Sequence, residues 1–142
     1  MNKDIVLLDS NIVIYALKNN PTVYSFVNEK RLAISFVTEI ELLDWKQIKS
    51  ADRSLIADFL KQCLYIDYNY QLRLQTISLK QKYNPKLGDA FIAARSIEFD
   101  IPLISAYKEF SRIKELNFIL ISPINEKKNS HHRRRQLRYR NS

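Results

Sequence analysis

Five short apolar runs separated by amphipathic stretches constrain the fold of this chain more than any other feature. DIVLLD (4–9), LAISF (32–36), LYIDY (64–68), IPLIS (101–105) and NFILIS (117–122) are too short for independent helices and rich in β-branched, leucine or aromatic residues. Between them SNIVIYALKNN (10–20), TEIELLDWKQIK (38–49), SADRSLIADFLKQ (50–62), NYQLRLQTISLKQKY (69–83), PKLGDAFIAARSIEF (85–99) and KEFSRIKEL (108–116) carry helical periodicity. Strands that are apolar on both faces and alternate with helices point to a parallel sheet, because parallel neighbours need crossover connections that cover both sides. The expected class is α/β, in three layers. The pattern predicts that the first helix opens at Ser10 or Asn11 and stops before Pro21, and that Thr38 caps the second with Glu41 closing a capping box.

With 142 residues, 46% of them hydrophobic, the chain is about one domain long and needs no staple. A single cysteine, Cys63, excludes an internal disulfide and a cysteine-cluster metal site; it reads as a small core residue and fits a reducing cytoplasm. No apolar stretch approaches the roughly 18 residues of a membrane span, and MNKDIVLL lacks a leader pattern, so a soluble cytoplasmic protein is expected. The one glycine, Gly88, excludes a glycine-rich phosphate cradle or a dinucleotide fingerprint. Lys and Arg number 23 against 15 Asp and Glu, a net charge of +8, yet residues 127–142 hold seven of the basic groups and no acid. The rest of the chain is left with 16 basic and 15 acidic groups, so the basicity belongs to a tail. The organisation expected is a folded domain over 1–125 and a disordered basic segment over 126–142 that is able to meet nucleic-acid phosphates.

Because ligands of open α/β sheets bind beyond the carboxyl ends of the strands, the residues following each apolar run are the ones to inspect. Asp9 ends the first run, where it is either a ligand-facing carboxylate or a helix cap shared with Ser10. On a wheel at about 100° per residue, Glu41 falls within the apolar arc of Val37, Leu42, Trp45 and Ile48, whereas Glu39 points away beside Lys46 and reads as solvated. A carboxylate in an apolar arc calls for a partner, a proton or a cation. Asp89 follows Gly88 in the first turn of a helix whose small face, Ala90, Ala93 and Ala94, lets it lie close to the sheet. The bland reading of Asp89 is a favourable charge at a helix N-terminus. Together the three carboxylates form an oxygen-donor set suited to Mg²⁺ or Mn²⁺. The two histidines, His131 and His132, both lie in the tail, which excludes a Ser-His-Asp triad or a zinc site inside the domain.

LLDSNIVIYAL (7–17), ISFVTEIELL (34–43), KLGDAFIAA (86–94) and IPLISAYKEFSRI (101–113) resemble the successive motifs of PIN-domain proteins, in particular the VapC-type toxins of toxin–antitoxin pairs. The resemblance runs from residue 4 to about 122. It implies a five-stranded sheet in the order 3-2-1-4-5 and a metal-dependent ribonuclease, with Asp9, Glu41 and Asp89 matching the family's first three acids. It further implies an antitoxin partner, an RNA substrate cut to 5′-phosphate and 3′-hydroxyl ends, and self-association. The aromatic-bearing helices between 23 and 62 serve either as a dimer face or as core.

The sequence departs from the family at the fourth acid. Ser105 matches the hydroxyl that ends the fourth strand, but the acid position two residues later holds Tyr107, whose phenol is a poor magnesium ligand. Glu109 matches a further acid of the same loop, and its bland reading is a solvated acid beside Lys108. In the nuclease reading Asp9 and Asp89 hold the ion, Glu41 binds it through water or orients the attacking water, and Asn11 and Ser105 support the carboxylates or the substrate. Lys86, Arg95, Arg112 and the tail are the candidate RNA contacts, against a default of solvated helix faces. The alternative is a PIN-like binding module with weak or lost nuclease activity. A phosphoryl-transfer receiver domain is a third reading, and the absence of a strand-end lysine argues against it, since Ala106 follows Ser105.

Overall fold

The computed structural model describes residues 4–44, 46 and 48–122. A parallel five-stranded sheet in the order β3-β2-β1-β4-β5 is built from β1 (Ile5–Leu8), β2 (Arg31–Ser35), β3 (Leu64–Ile66), β4 (Leu103–Ser105) and β5 (Phe118–Leu120). Alternation along the strands sorts the core into two layers. Val6, Leu8, Ile34 and Ile104 face one side, packed with Ile12, Val13, Leu42, Ile56 and Leu60 from the helices α1 (Ser10–Leu17), α3 (Phe36–Leu43) and α4 (Ser50–Lys61). Leu7, Ala33 and Leu103 face the other, against Leu72 and Leu79 of α5 (Leu72–Tyr83), Ile92, Ala93 and Ala94 of α6 (Leu87–Phe99), and Phe110 of a short 3₁₀ helix (Lys108–Arg112). The three layers and strand order are those expected. Ala90, Ala93 and Ala94 are fully buried, as a helix lying close on a sheet requires.

α1 opens at Ser10 and stops before Pro21 as expected. Pro21 also opens α2 (Pro21–Val27), where a missing N–H costs nothing and Asn20 Oδ1 accepts from the N–H groups of Thr22 and Val23 at 3.0 and 3.2 Å. Other local expectations are corrected. The cap of α3 is Ser35, whose hydroxyl oxygen accepts from the Thr38 N–H at 3.2 Å, so Thr38 lies inside the helix and Glu41 closes no capping box. Because α3 ends at Leu43, the apolar arc drawn through Ile48 does not belong to one helix, and Trp45 lies outside the described residues. KEFSRIKEL forms only the 3₁₀ helix rather than an α-helix over its length. With a single glycine in the chain, the left-handed caps of α5 and α6 fall to Asn84 and Asp100 (φ 50° and 54°), short polar residues that tolerate this region.

Of the helices between 23 and 62, Val23, Ile56 and Leu60 are core, whereas Tyr24, Phe26, Ile40 and Leu55 are exposed. Cys63 is half-buried against the first layer, and burial pushes its thiol up to about 11. Among the described residues no helix is long and apolar enough to cross a membrane. The basic tail lies outside the described residues.

Candidate active site

The sheet changes direction of growth between β1 and β4, since β2 and β3 are added on one side of β1 and β4 and β5 on the other. A crevice beyond the carboxyl ends of these two strands is where such sheets bind ligands. Asp9 ends β1 at that point and is fully buried. The cap reading of Asp9 holds: it is the N-cap of α1, with Oδ1 accepting from the Ser10 N–H at 2.9 Å, while Oδ2 accepts from the Ser105 hydroxyl at 2.6 Å. Asn11 Nδ2 reaches the same Oδ2 at 3.5 Å. Asn11 Oδ1 accepts from the Ala106 N–H at 3.1 Å, and Ser105 Oγ accepts from the Tyr107 N–H at 2.9 Å. The ends of β1 and β4 are thereby tied around one carboxylate.

Glu41 stands half-buried on α3, where its Oε1 accepts from the Ser10 hydroxyl at 3.1 Å. α6 passes close by: a methyl group on Gly88 would lie 3.7 Å from Glu41 Oε2 and 3.4 Å from Val37 Cγ1. That approach brings Asp89, buried in the first turn of α6, to the same edge of the sheet. Glu39 is not the solvated group expected beside Lys46. It is half-buried and hydrogen-bonded to the Tyr65 phenol, which burial, then Glu39, pushes up to about 12.

Beside Asp89 a cleft of about 120 Å³ opens between the start of α6 and the 3₁₀ helix, lined among others by Tyr83, Asn84, Lys86, Tyr107, Glu109 and Arg112. Glu109 is exposed and paired with Arg112 at 3.5 Å. Lys86 and Arg112 are exposed and reach this cleft, but Arg95 does not belong with them. Arg95 is 3% exposed, bonds Glu98 at 2.7 Å and the carbonyl of Asp67, and lies over the Phe99 ring, so it fastens α6 to the end of β3 instead of offering a charge to solvent. Sequence reasoning missed two members of the site. Ser10 links Asp9 to Glu41, a role its position beside Asp9 made accessible; Tyr83 walls the cleft from a distant helix, which nothing in its local sequence indicates.

The donors gathered here are carboxylate and hydroxyl oxygens, which suit a hard divalent cation in kind. Among the described residues no three His, Cys, Asp or Glu side chains stand close enough together to hold one ion. Mg²⁺ does not demand three, because it keeps several waters and is held through one or two carboxylates.

A family model described as PIN domain matches residues 6–116. The chain belongs to the PIN domain family. Solved structures show the same fold: a toxin–antitoxin complex from Klebsiella pneumoniae (TM-score 0.72, 22% identity, 84% of this chain and 99% of the other) and VapBC2 of Rickettsia felis bound to a promoter DNA fragment (0.70, 22%, 82% and 98%). VapBC-1 from nontypeable Haemophilus influenzae is 27% identical at a TM-score of 0.66, covering 82% of this chain and 97% of the other. A search of curated proteins finds no match.

Proposed function

We propose that this PIN domain is a cytoplasmic endoribonuclease dependent on Mg²⁺ or Mn²⁺, the toxin of a toxin–antitoxin pair, with the catalytic unit in residues 1–125 and the basic tail an auxiliary RNA contact. The observation that carries this reading is the fully buried Asp9, bound by Ser105 and Asn11 across the β1/β4 crevice beside Glu41 and Asp89. Burying a carboxylate is costly unless it is hydrogen-bonded and its charge is compensated, and a bound cation would supply that compensation. Asp9 and Asp89 would hold the cation, which when bound supplies a more acidic water and stabilises charge on the phosphate oxygens.

Asn11 and Ser105 fix the Asp9 carboxylate, and Glu41 orients the attacking water. Attack at phosphorus breaks the bond to the 3′-oxygen, leaving 5′-phosphate and 3′-hydroxyl ends without a covalent enzyme intermediate. Lys86, Arg112 and the tail contribute a positive field that draws in the RNA backbone. An antitoxin as partner is supported by the toxin–antitoxin neighbours from Klebsiella pneumoniae and Haemophilus influenzae, and self-association would use the exposed apolar residues of α2 to α4.

Tyr107 in the cleft favours a second reading, a PIN domain that binds its partner with weak or lost nuclease activity. Titrating Mg²⁺ and Mn²⁺ while following cleavage of a mixed RNA pool separates the two. The nuclease reading expects metal-dependent cutting that Asp9→Asn and Glu41→Gln remove, with a gain from Tyr107→Asp if the missing acid limits the rate. A folded protein that neither cuts nor binds metal supports the binding module.

A further inference from the structure

The position of Tyr107 deepens the ribonuclease reading, on which the following rests. We propose that the cleft beside Asp89 is a nucleobase subsite, with the Tyr107 ring as the platform on which one unpaired base of the RNA stacks next to the scissile phosphate.

Placement comes first. The Tyr107 N–H is held by Ser105 Oγ, the same oxygen whose hydrogen goes to Asp9, so the backbone that carries the ring is fixed to the group that carries the buried carboxylate. Tyr107 lines the cleft together with Asp89. A base seated there is adjacent to the acids while its phosphate remains outside, toward them.

Charge argues for a base over a phosphate in the cleft itself. Arg112 is already engaged there with Glu109, which weakens its hold on an anion. An aromatic face, by contrast, attracts any base, since every base has a π-face. At about 120 Å³ the cleft has room for one planar ring system and not for a folded element.

The walls are preformed. Tyr107 meets Phe110 edge-on, with centroids 5.9 Å apart and planes at 90°, and Phe110 is itself core. Opposite, the Tyr83 hydroxyl donates to Glu115 Oε1 at 2.6 Å and accepts from the Lys114 N–H at 3.2 Å, while Arg112 Nη2 donates to the Tyr83 carbonyl at 2.8 Å. Lys80 Nζ bonds Asn84 Oδ1 at 3.2 Å and the Pro85 carbonyl at 2.5 Å, holding the turn that forms the third side. A platform fixed in advance loses little conformational freedom when a base arrives.

The test measures binding, apart from cleavage. Asp9→Asn protein is titrated with short fluorescent oligo(A), oligo(C) and oligo(U), and with a ribose-phosphate oligomer of the same length lacking bases, following anisotropy. Tyr107→Leu and Tyr107→Ala are expected to weaken the base-bearing oligomers roughly tenfold, the contribution of one base on one aromatic ring, and to leave the abasic oligomer nearly unchanged. Tyr107→Phe keeps the ring and the Phe110 contact and is expected to bind as the parent does. Tyr107→Leu keeps apolar bulk against Phe110, which separates loss of stacking from loss of folding. Equal weakening of base-bearing and abasic oligomers, or parental affinity in Tyr107→Leu, overturns the subsite. A base-dependent Tyr107 effect in a chain that cuts no RNA keeps the subsite and removes the nuclease reading; metal-dependent cutting without that effect removes the subsite alone.

Discussion

The two sides of the candidate site are held in opposite ways. On the strand side Asp9 is fully buried and fixed by groups that are themselves buried, Ser10, Asn11 and Ser105, at the ends of two central strands. On the cleft side the wall between α5 and the 3₁₀ helix is held by charged surface groups, Lys82 with Glu115 at 2.7 Å, at 59% and 39% side-chain exposure, and Arg112 with Glu109. The position of the acid is therefore a consequence of the fold, whereas the shape of the cleft depends on contacts that solvent and salt weaken. Chemistry and recognition are expected to respond to different perturbations.

The largest effect is expected from Asp9→Asn. The amide keeps an acceptor for the Ser10 N–H but removes the charge, so cleavage of the RNA pool is expected to fall below detection with the fold intact by circular dichroism. Retained Mn²⁺-dependent cutting in this variant would break the assignment of chemistry to the strand side.

How far this contrast was legible in the sequence follows from what each part depends on. The strands could be read from their short apolar runs and Asp9 from lying at a strand end, whereas Ser105 is found only through the resemblance to the PIN family. Short-range signals failed where two residues compete for one role. Ser35 and Thr38 are both good caps, and only the end of β2 decides for Ser35; Pro21 serves equally to stop one helix and to begin the next. Arg95 was chosen for its charge, but its burial depends on the contact between α6 and the end of β3, which no local pattern records. The cleft was the least legible part. Tyr83 and Glu115 meet only because the chain returns to α5 after β4, and only the fold sets Tyr107 beside Asp89 in one cleft.

A middle effect is expected from Ser105→Ala. The substitution removes the 2.6 Å bond to Asp9 Oδ2 and the acceptor of the Tyr107 N–H, so it acts on both sides at once. Loss of a hydrogen-bond partner that orients a metal-binding side chain lowers metal affinity or activity roughly 10- to 100-fold. Measured kcat and KM should both worsen, and the metal concentration for half-maximal cutting should rise. A pure KM effect would mean that Ser105 serves the cleft and not the acid.

The smallest effect belongs to the surface side and is set by pH. Hydrogen bonds from Lys82 and Tyr83 hold the Glu115 carboxyl down to about 2 from its ordinary 4.5. A group with a depressed folded pKa contributes its stabilisation above the unfolded value and loses it as pH falls through the folded one, so the Tyr83 anchor should be complete above about pH 4.5 and be released toward pH 2. Ring resonances of Tyr83 followed by NMR are expected to titrate with a midpoint near 2 while the fold persists, and Lys82→Met is expected to move that midpoint up toward 4.5. Added salt should act in the same direction, because Lys82 is exposed. The Ser105 and Asn11 contacts to Asp9 contain no Glu115 and are expected not to follow its midpoint. If the resonances of Asn11 and Ser105 moved together with those of Tyr83, the two sides would be one cooperative unit, and the separation between a fold-fixed acid and a solvent-tuned cleft would fail.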